Sequence, residues 1–174
     1  MSVLKAERKE SDFYVLTHAH DLRKDLTDLM YRNFGYKKRR VRAVDRDGWP
    51  KTREQLDREQ AQADYDDAYY TWMLQRSRDH IDRLLREMSD SIVEADSIWA
   101  TCLAECDERR LCQDRAIANC FQIEQELQYV LETLLFDINK FTRYADSLKE
   151  EIELLKKWRK SDNKIRREIL RKQS

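Results

Sequence analysis

"HIDRLLREMSDSIVEADSIW", residues 80 to 99, decides the fold. Ile81, Leu84, Leu85, Met88, Ile92 and Ala95 recur in steps of three and four. On a helix they form one apolar stripe with charged residues filling the other faces. Trp72 and Trp99 continue the spacing on either side. A stripe of this length must be covered, and the chain offers three partners.

Val15, Ala19, Leu22, Leu26 and Leu29 form a seam in the first helix. A third helix carries Ala116, Cys120, Ile123, Leu127, Val130 or Leu131, and Leu134; a fourth carries Phe141, Ala145, Leu148, Ile152 and Leu155. Ser11 reads as the cap of the first helix, with Asp12 in its first turn, Gly35 as its stop, and Asp137 as the cap of the fourth. The expected helices lie near 11–34, 70–98, 106–136 and 138–160. The fold class is all-α: an up-down-up-down four-helix bundle, one domain over 1–174.

Composition agrees. Two Gly and one Pro in 174 residues leave little for hairpins, and 41% hydrophobic residues suffice for a core.

Loop chemistry concentrates between 36 and 51, "YKKRRVRAVDRDGWPK". "TREQ", residues 52 to 55, then reads as a capping box, with Thr52 as cap and Gln55 reaching back. A helix from 53 to 98 would span ~69 Å, about twice the first. Because "REQLDREQAQADYDDA" (53–68) is too polar for a core along its length, the second helix is expected to begin near 69. A polar insertion of about 36–69 then separates helices one and two. The alternative is an unbroken second helix in a longer antiparallel coiled coil.

No run approaches the ~18 apolar residues of a membrane span, and "MSVLKAERKESD" lacks a signal-type apolar run. The expectation is a cytoplasmic protein that does not engage membrane. Cys102, Cys106, Cys112 and Cys120 are spaced C-x3-C-x5-C-x7-C, which is no zinc signature, so no metal, cofactor or disulfide is expected there.

Catalytic patterns are missing. No Glu-x-x-His exists for a di-iron bundle, and two glycines make no phosphate loop. His18 and His20 point to different faces of a helix, and His80 sits in a mixed-charge run. Asp21, Asp25 and Asp28 read as a solvated face. The expectation is a protein that is not an enzyme.

Charge is polarised within a formal net of zero. Residues 1–50 carry +4, 51–100 carry −5, 101–150 carry −4 and 151–174 carry +5. In an antiparallel bundle the cluster Lys37, Lys38, Arg39, Arg40 and Arg42 lies at one end. Lys156, Lys157, Arg159, Lys160 and Lys164 lie at the other, in a basic tail of about 156–174, together with Lys5, Arg8 and Lys9. Phosphate backbones respond to such local clusters, so these are the candidate nucleic-acid- or partner-binding residues. The structural counter-reading is that cations near helix C-termini complement the dipole. Trp158, close to the Leu148–Leu155 seam, is expected to pack inward or on a neighbouring subunit rather than stack on a base. Tyr65, Tyr69, Tyr70 and Trp72 exceed what one helix face can hide, which points to self-association.

Three blocks carry a family resemblance: "SVLKAERKESDF" with "LRKDLTDLMYRNFG", "ERRLCQDRAIANCFQIEQELQ", and "EEIELLKKWRKSDNK". They resemble prophage-type helical proteins found near reverse transcriptases, the accessory variability determinant (Avd) family of diversity-generating retroelements. More distantly they are similar to four-helix bundles encoded in ribosomal RNA intervening sequences. The resemblance implies a bundle that assembles into a ring, a pentamer. It further implies binding of the retroelement reverse transcriptase and its template RNA or cDNA through basic surface, supporting mutagenic cDNA synthesis without chemistry of its own. That basic character maps onto Lys37, Lys38, Arg39, Arg40, Lys156, Lys157, Arg159 and Lys160. The chain departs from the family in being neutral overall and in its long polar segment, 43–70. The alternative function is a structural or regulatory helical adaptor that binds protein only.

Overall fold

The structure is a computed structural model that describes the backbone of residues 2–134 and 138–173 and the side chains of 14–134 and 139–172. Four helices run antiparallel: α1 (Ser2–Tyr31), α2 (Arg53–Ser97), α3 (Leu103–Leu134) and α4 (Thr142–Gln173). Short 3-10 turns follow α1 at Asn33–Gly35 and precede α4 at Ile138–Lys140. Each helix packs on two neighbours in the cyclic order α1, α2, α3, α4. The only β pairing among the described residues is an isolated Val44–Pro50 bridge.

The seams meet in one core. Val15, Leu22, Leu26, Leu84, Met88, Ile92, Ile123, Leu127, Leu148, Ile152 and Leu155 are all buried within it. Trp158 belongs there too, at 3% exposure. Trp72 and Trp99 do not: they are 56% and 66% exposed, because the stripe they extend rotates off the core beyond Met73 and Ala95.

Helix ends differ from expectation in three places. α1 begins at Ser2, so Ser11 lies inside it rather than capping it. Asp137 falls outside the described residues, and α4 begins only at Thr142. The C-terminal run continues α4 to Gln173, well past the expected 160. α1 stops through three consecutive residues at positive φ, Asn33 (53°), Phe34 (55°) and Gly35 (85°). Two of these are costly without glycine. Burial of the Phe34 ring and a 2.6 Å hydrogen bond from Arg78 to Asn33 Oδ1 offset that cost.

The largest correction concerns α2, which is unbroken over 45 residues. Its start is the expected capping box, Thr52 with Gln55. The insertion is therefore residues 36–52 alone, and 53–69 are helix. Ser77 donates to Glu126 at 2.7 Å, and Cys120 Sγ lies 3.3 Å from Met88 Sδ. On that register α3 ends opposite roughly residue 70, so α2 projects past it by ~25 Å. What covers this arm is the chain between α1 and α2 folding back along it.

Candidate nucleic-acid interface

The returning segment is held at both ends. Tyr36 donates to Asp67 at 3.1 Å, and its ring centroid lies 5.5 Å from that of Tyr70. Burial and the neighbouring Asp67 raise the Tyr36 hydroxyl above its ordinary pKa. Lys38 Nζ bridges Asp64 (3.0 Å) and Asp67 (3.4 Å). Further along, Asp45 Oδ1 accepts from the Asp47 and Trp49 backbone N–H groups (3.0 and 2.8 Å), and Gly48 supplies the φ of +86° that closes the turn. Lys51 then pairs with Glu59. Ala63, between these anchors, is buried.

Between the anchors the strap bows away from α2. The result is an open concavity of about 990 Å³ lined by Lys37, Lys38, Arg39, Arg40, Val41 and Gln60. Lys38 is already neutralised: its hydrogen bonds to Asp64 and Asp67 raise its own pKa, and the Lys38 bond lowers that of Asp64. Among the described residues Lys37, Arg39, Arg40 and Arg42 have no ion-pair partner and are exposed. Three uncompensated cations around a concave surface, with Arg42 beside it, suit a phosphate-bearing ligand, with Gln60 as an amide donor or acceptor at the rim.

The second expected cluster behaves differently. Arg159 pairs with Asp114, Arg166 with Asp107 (3.0 Å) and Lys156 with Glu153 (2.9 Å). Lys156 Nζ also lies 5.8 Å from the Phe121 ring centroid. The arginines thus fasten α4 to α3. Beneath them Arg109 Nε donates to Asp162 (2.7 Å), Gln113 donates to the same oxygen (2.7 Å), and the Arg109 guanidinium lies over Trp158 at 5.2 Å. Lys157, Lys160 and Lys164 remain exposed without an ion-pair partner among the described residues. The ten candidate cations are therefore not one site: the two groups stand ~45 Å apart along the bundle. The side chains of Lys5, Arg8 and Lys9 lie outside the described residues.

Sequence reasoning missed two buried polar groups. Glu151 is fully buried, with Oε2 2.6 Å from His18 Nδ1. Arg109, Gln113 and Asp162 form the network just described. Glu151 is legible in retrospect, three residues after Leu148 and four before Leu155 on the same stripe. His20, by contrast, is exposed beside a shallow cleft with Arg23 and Tyr31, so the two histidines do face apart. Asp21, Asp25 and Asp28 pair with Lys24, Arg143 and Arg32 at the surface. Among the described residues no three His, Cys, Asp or Glu side chains converge as a metal would require. The cysteines are free thiols, three of them buried. No helix among the described residues is long and apolar enough to cross a membrane.

Fold and site together define a four-helix bundle with a basic strap laid along the arm of α2. Compared with known proteins, the chain matches no family model, no curated protein and no solved structure.

Proposed function

We propose that the protein is a non-enzymatic accessory factor of a diversity-generating retroelement, binding the reverse transcriptase and its template RNA or cDNA. The observation that carries nucleic-acid binding is the strap concavity, with Lys37, Arg39 and Arg40 uncompensated around it and Arg42 beside it. The reverse transcriptase as partner rests on the family resemblance of the α1, α3 and α4 blocks. Contacts of this kind position a phosphate backbone and do not read sequence.

The test is binding of labelled single-stranded and structured RNA across a salt titration. The parent chain should bind with a steep negative salt slope. Changing Lys37, Arg39 and Arg40 to Glu should remove most of that slope, since each lost phosphate contact reduces it by about one. Reversing Lys157, Lys160 and Lys164 tests the second pole separately. Equal binding by parent and strap variant would refute the reading.

A protein-only adaptor is the second reading. It is favoured by the internal pairing of Arg159 and Arg166. Salt-insensitive capture of a protein partner, with no RNA retained, would support it.

A further inference from the structure

The arm of α2 carries a second seam that the described residues leave open. Tyr65, Tyr69 and Trp72 are 71%, 45% and 56% exposed. Gln62, Arg76 and Asp79 extend the same line in strict steps of three and four, and all are exposed. This is the spacing by which one helix recognises another, on a face well away from the core stripe of Ile81, Leu84 and Met88. Within the chain, Tyr69 lies 6.3 Å from Trp72 between ring centroids, and Arg76 stacks on Trp72 at 4.9 Å. The strap covers the flank holding Asp64, Asp67 and Tyr70, not this one.

We propose that this seam pairs with the same seam of a second copy of the chain, antiparallel and about a twofold axis between Tyr69 and Trp72. The occupant is argued from self-complementarity. In that register Tyr69 meets the partner's Trp72, Tyr65 meets the partner's Arg76, and Gln62 meets the partner's Asp79. The layers are thus aromatic on aromatic, cation on aromatic ring, and amide on carboxylate, each occurring twice. The like-charged layer, Arg58 with the partner's Arg83, falls at the solvent-exposed ends, where Arg83 is already bonded to Glu87 at 2.6 Å. Ala61 and Ala68 border the seam and let a second helix approach. The three aromatics expose roughly 300 Å² per chain, about two-fifths of the ~800 Å² per partner of a standard interface, and the polar flanks supply the remainder. Nucleic acid is the poorer occupant, because residues 53–68 carry six acidic and two basic groups.

A twofold pairing gives an even number of copies, in contrast to the five-membered ring that the resemblance implies. It does not rest on the proposed function, and RNA binding by the strap can fail without affecting it.

The experiment is sedimentation equilibrium of the full chain, beside the double variant Tyr69→Glu, Trp72→Glu with its helicity checked by circular dichroism. The parent should be an even-numbered assembly, and the variant should weaken the pairing at least ~100-fold, as loss of central aromatic anchors does. In a second measurement, chains carrying Gln62→Cys and Asp79→Cys, both with Cys102→Ser, are mixed under mild oxidation. The mixture should yield a covalent dimer that neither chain forms alone. A monomeric parent, an odd-numbered assembly or no mixed cross-link overturns the proposal. So does a double variant of unchanged mass, whether or not it has lost RNA-induced quenching of tryptophan fluorescence.

Discussion

His18 Nδ1 on α1 lies 2.6 Å from Glu151 Oε2 on α4, and Glu151 is wholly inside the bundle. Burial pushes the Glu151 carboxyl up to about 7, with the His18 hydrogen bond opposing that rise and the nearby Glu150 adding to it. Its ordinary value is 4.5. Between those two pH values the folded chain retains a proton that the unfolded chain has released. Stability therefore falls as pH rises through that window, by at most about 3 kcal/mol. Glu151→Gln, which cannot ionise, should flatten the dependence of melting temperature on pH between 5 and 7.5. An unchanged slope would show that this carboxyl does not set it.

The Arg109–Asp162 pair ties the start of α3 to the last third of α4, and Arg109 also donates to the Ile98 carbonyl at 3.1 Å. Asp162→Ala should cost ~3–5 kcal/mol, because it removes the carboxylate that compensates a buried guanidinium. Replacing both residues by apolar ones of similar volume should recover most of that loss. A double-mutant cycle from denaturant melts measures the coupling.

Leu127 is 5% exposed, between the α2 and α4 seams. Leu127→Ala should destabilise by ~2–5 kcal/mol, combining lost transfer energy with the cavity left behind. Urea melts should show the midpoint fall with little change in slope.

Tyr36 and Lys38 pin the strap to Asp67 and Asp64. Tyr36→Ala should free the strap locally and accelerate tryptic cleavage after Arg39, Arg40 or Arg42. The global melting temperature should move by only a few degrees, since Tyr36 packs on the edge of the core and none of its fully buried residues is changed. Timed digestion followed by mass spectrometry reads both the site and the rate.

Thiol reactivity should divide the cysteines. Cys102 is exposed, whereas burial raises the Cys106, Cys112 and Cys120 thiols above their ordinary range. In the native protein an aromatic disulfide reagent should modify Cys102 rapidly, with Cys120 reacting only at the rate of unfolding.

Much of the bundle was legible in the chain because amphipathic spacing is a local property. The Leu22–Leu26–Leu29, Leu84–Met88–Ile92 and Leu148–Ile152–Leu155 stripes each name a buried face without knowledge of its partner. Thr52 and Gln55 mark a helix start for the same reason: both members of a capping box lie within one turn. Trp158 was legible too, since its distance from Leu155 keeps it on the seam.

Other features depend on contacts between residues far apart in sequence, and no local pattern encodes them. Residues 53–68 looked too polar for a core helix. They prolong α2 from its capping box, and the segment after α1 turns back to lay Tyr36, Lys38 and Lys51 against Asp67, Asp64 and Glu59. The basic residues near the C-terminus formed one continuous run by composition. Packing against α3 divided them: Arg159 and Arg166 became ion pairs with Asp114 and Asp107, while Lys157, Lys160 and Lys164 stayed in solvent. Sequence alone determined which faces had to be buried, because apolar side chains avoid water wherever they lie. Only the tertiary structure decided which charges remain uncompensated, because that depends on which carboxylates the fold brings within a few ångströms of each cation.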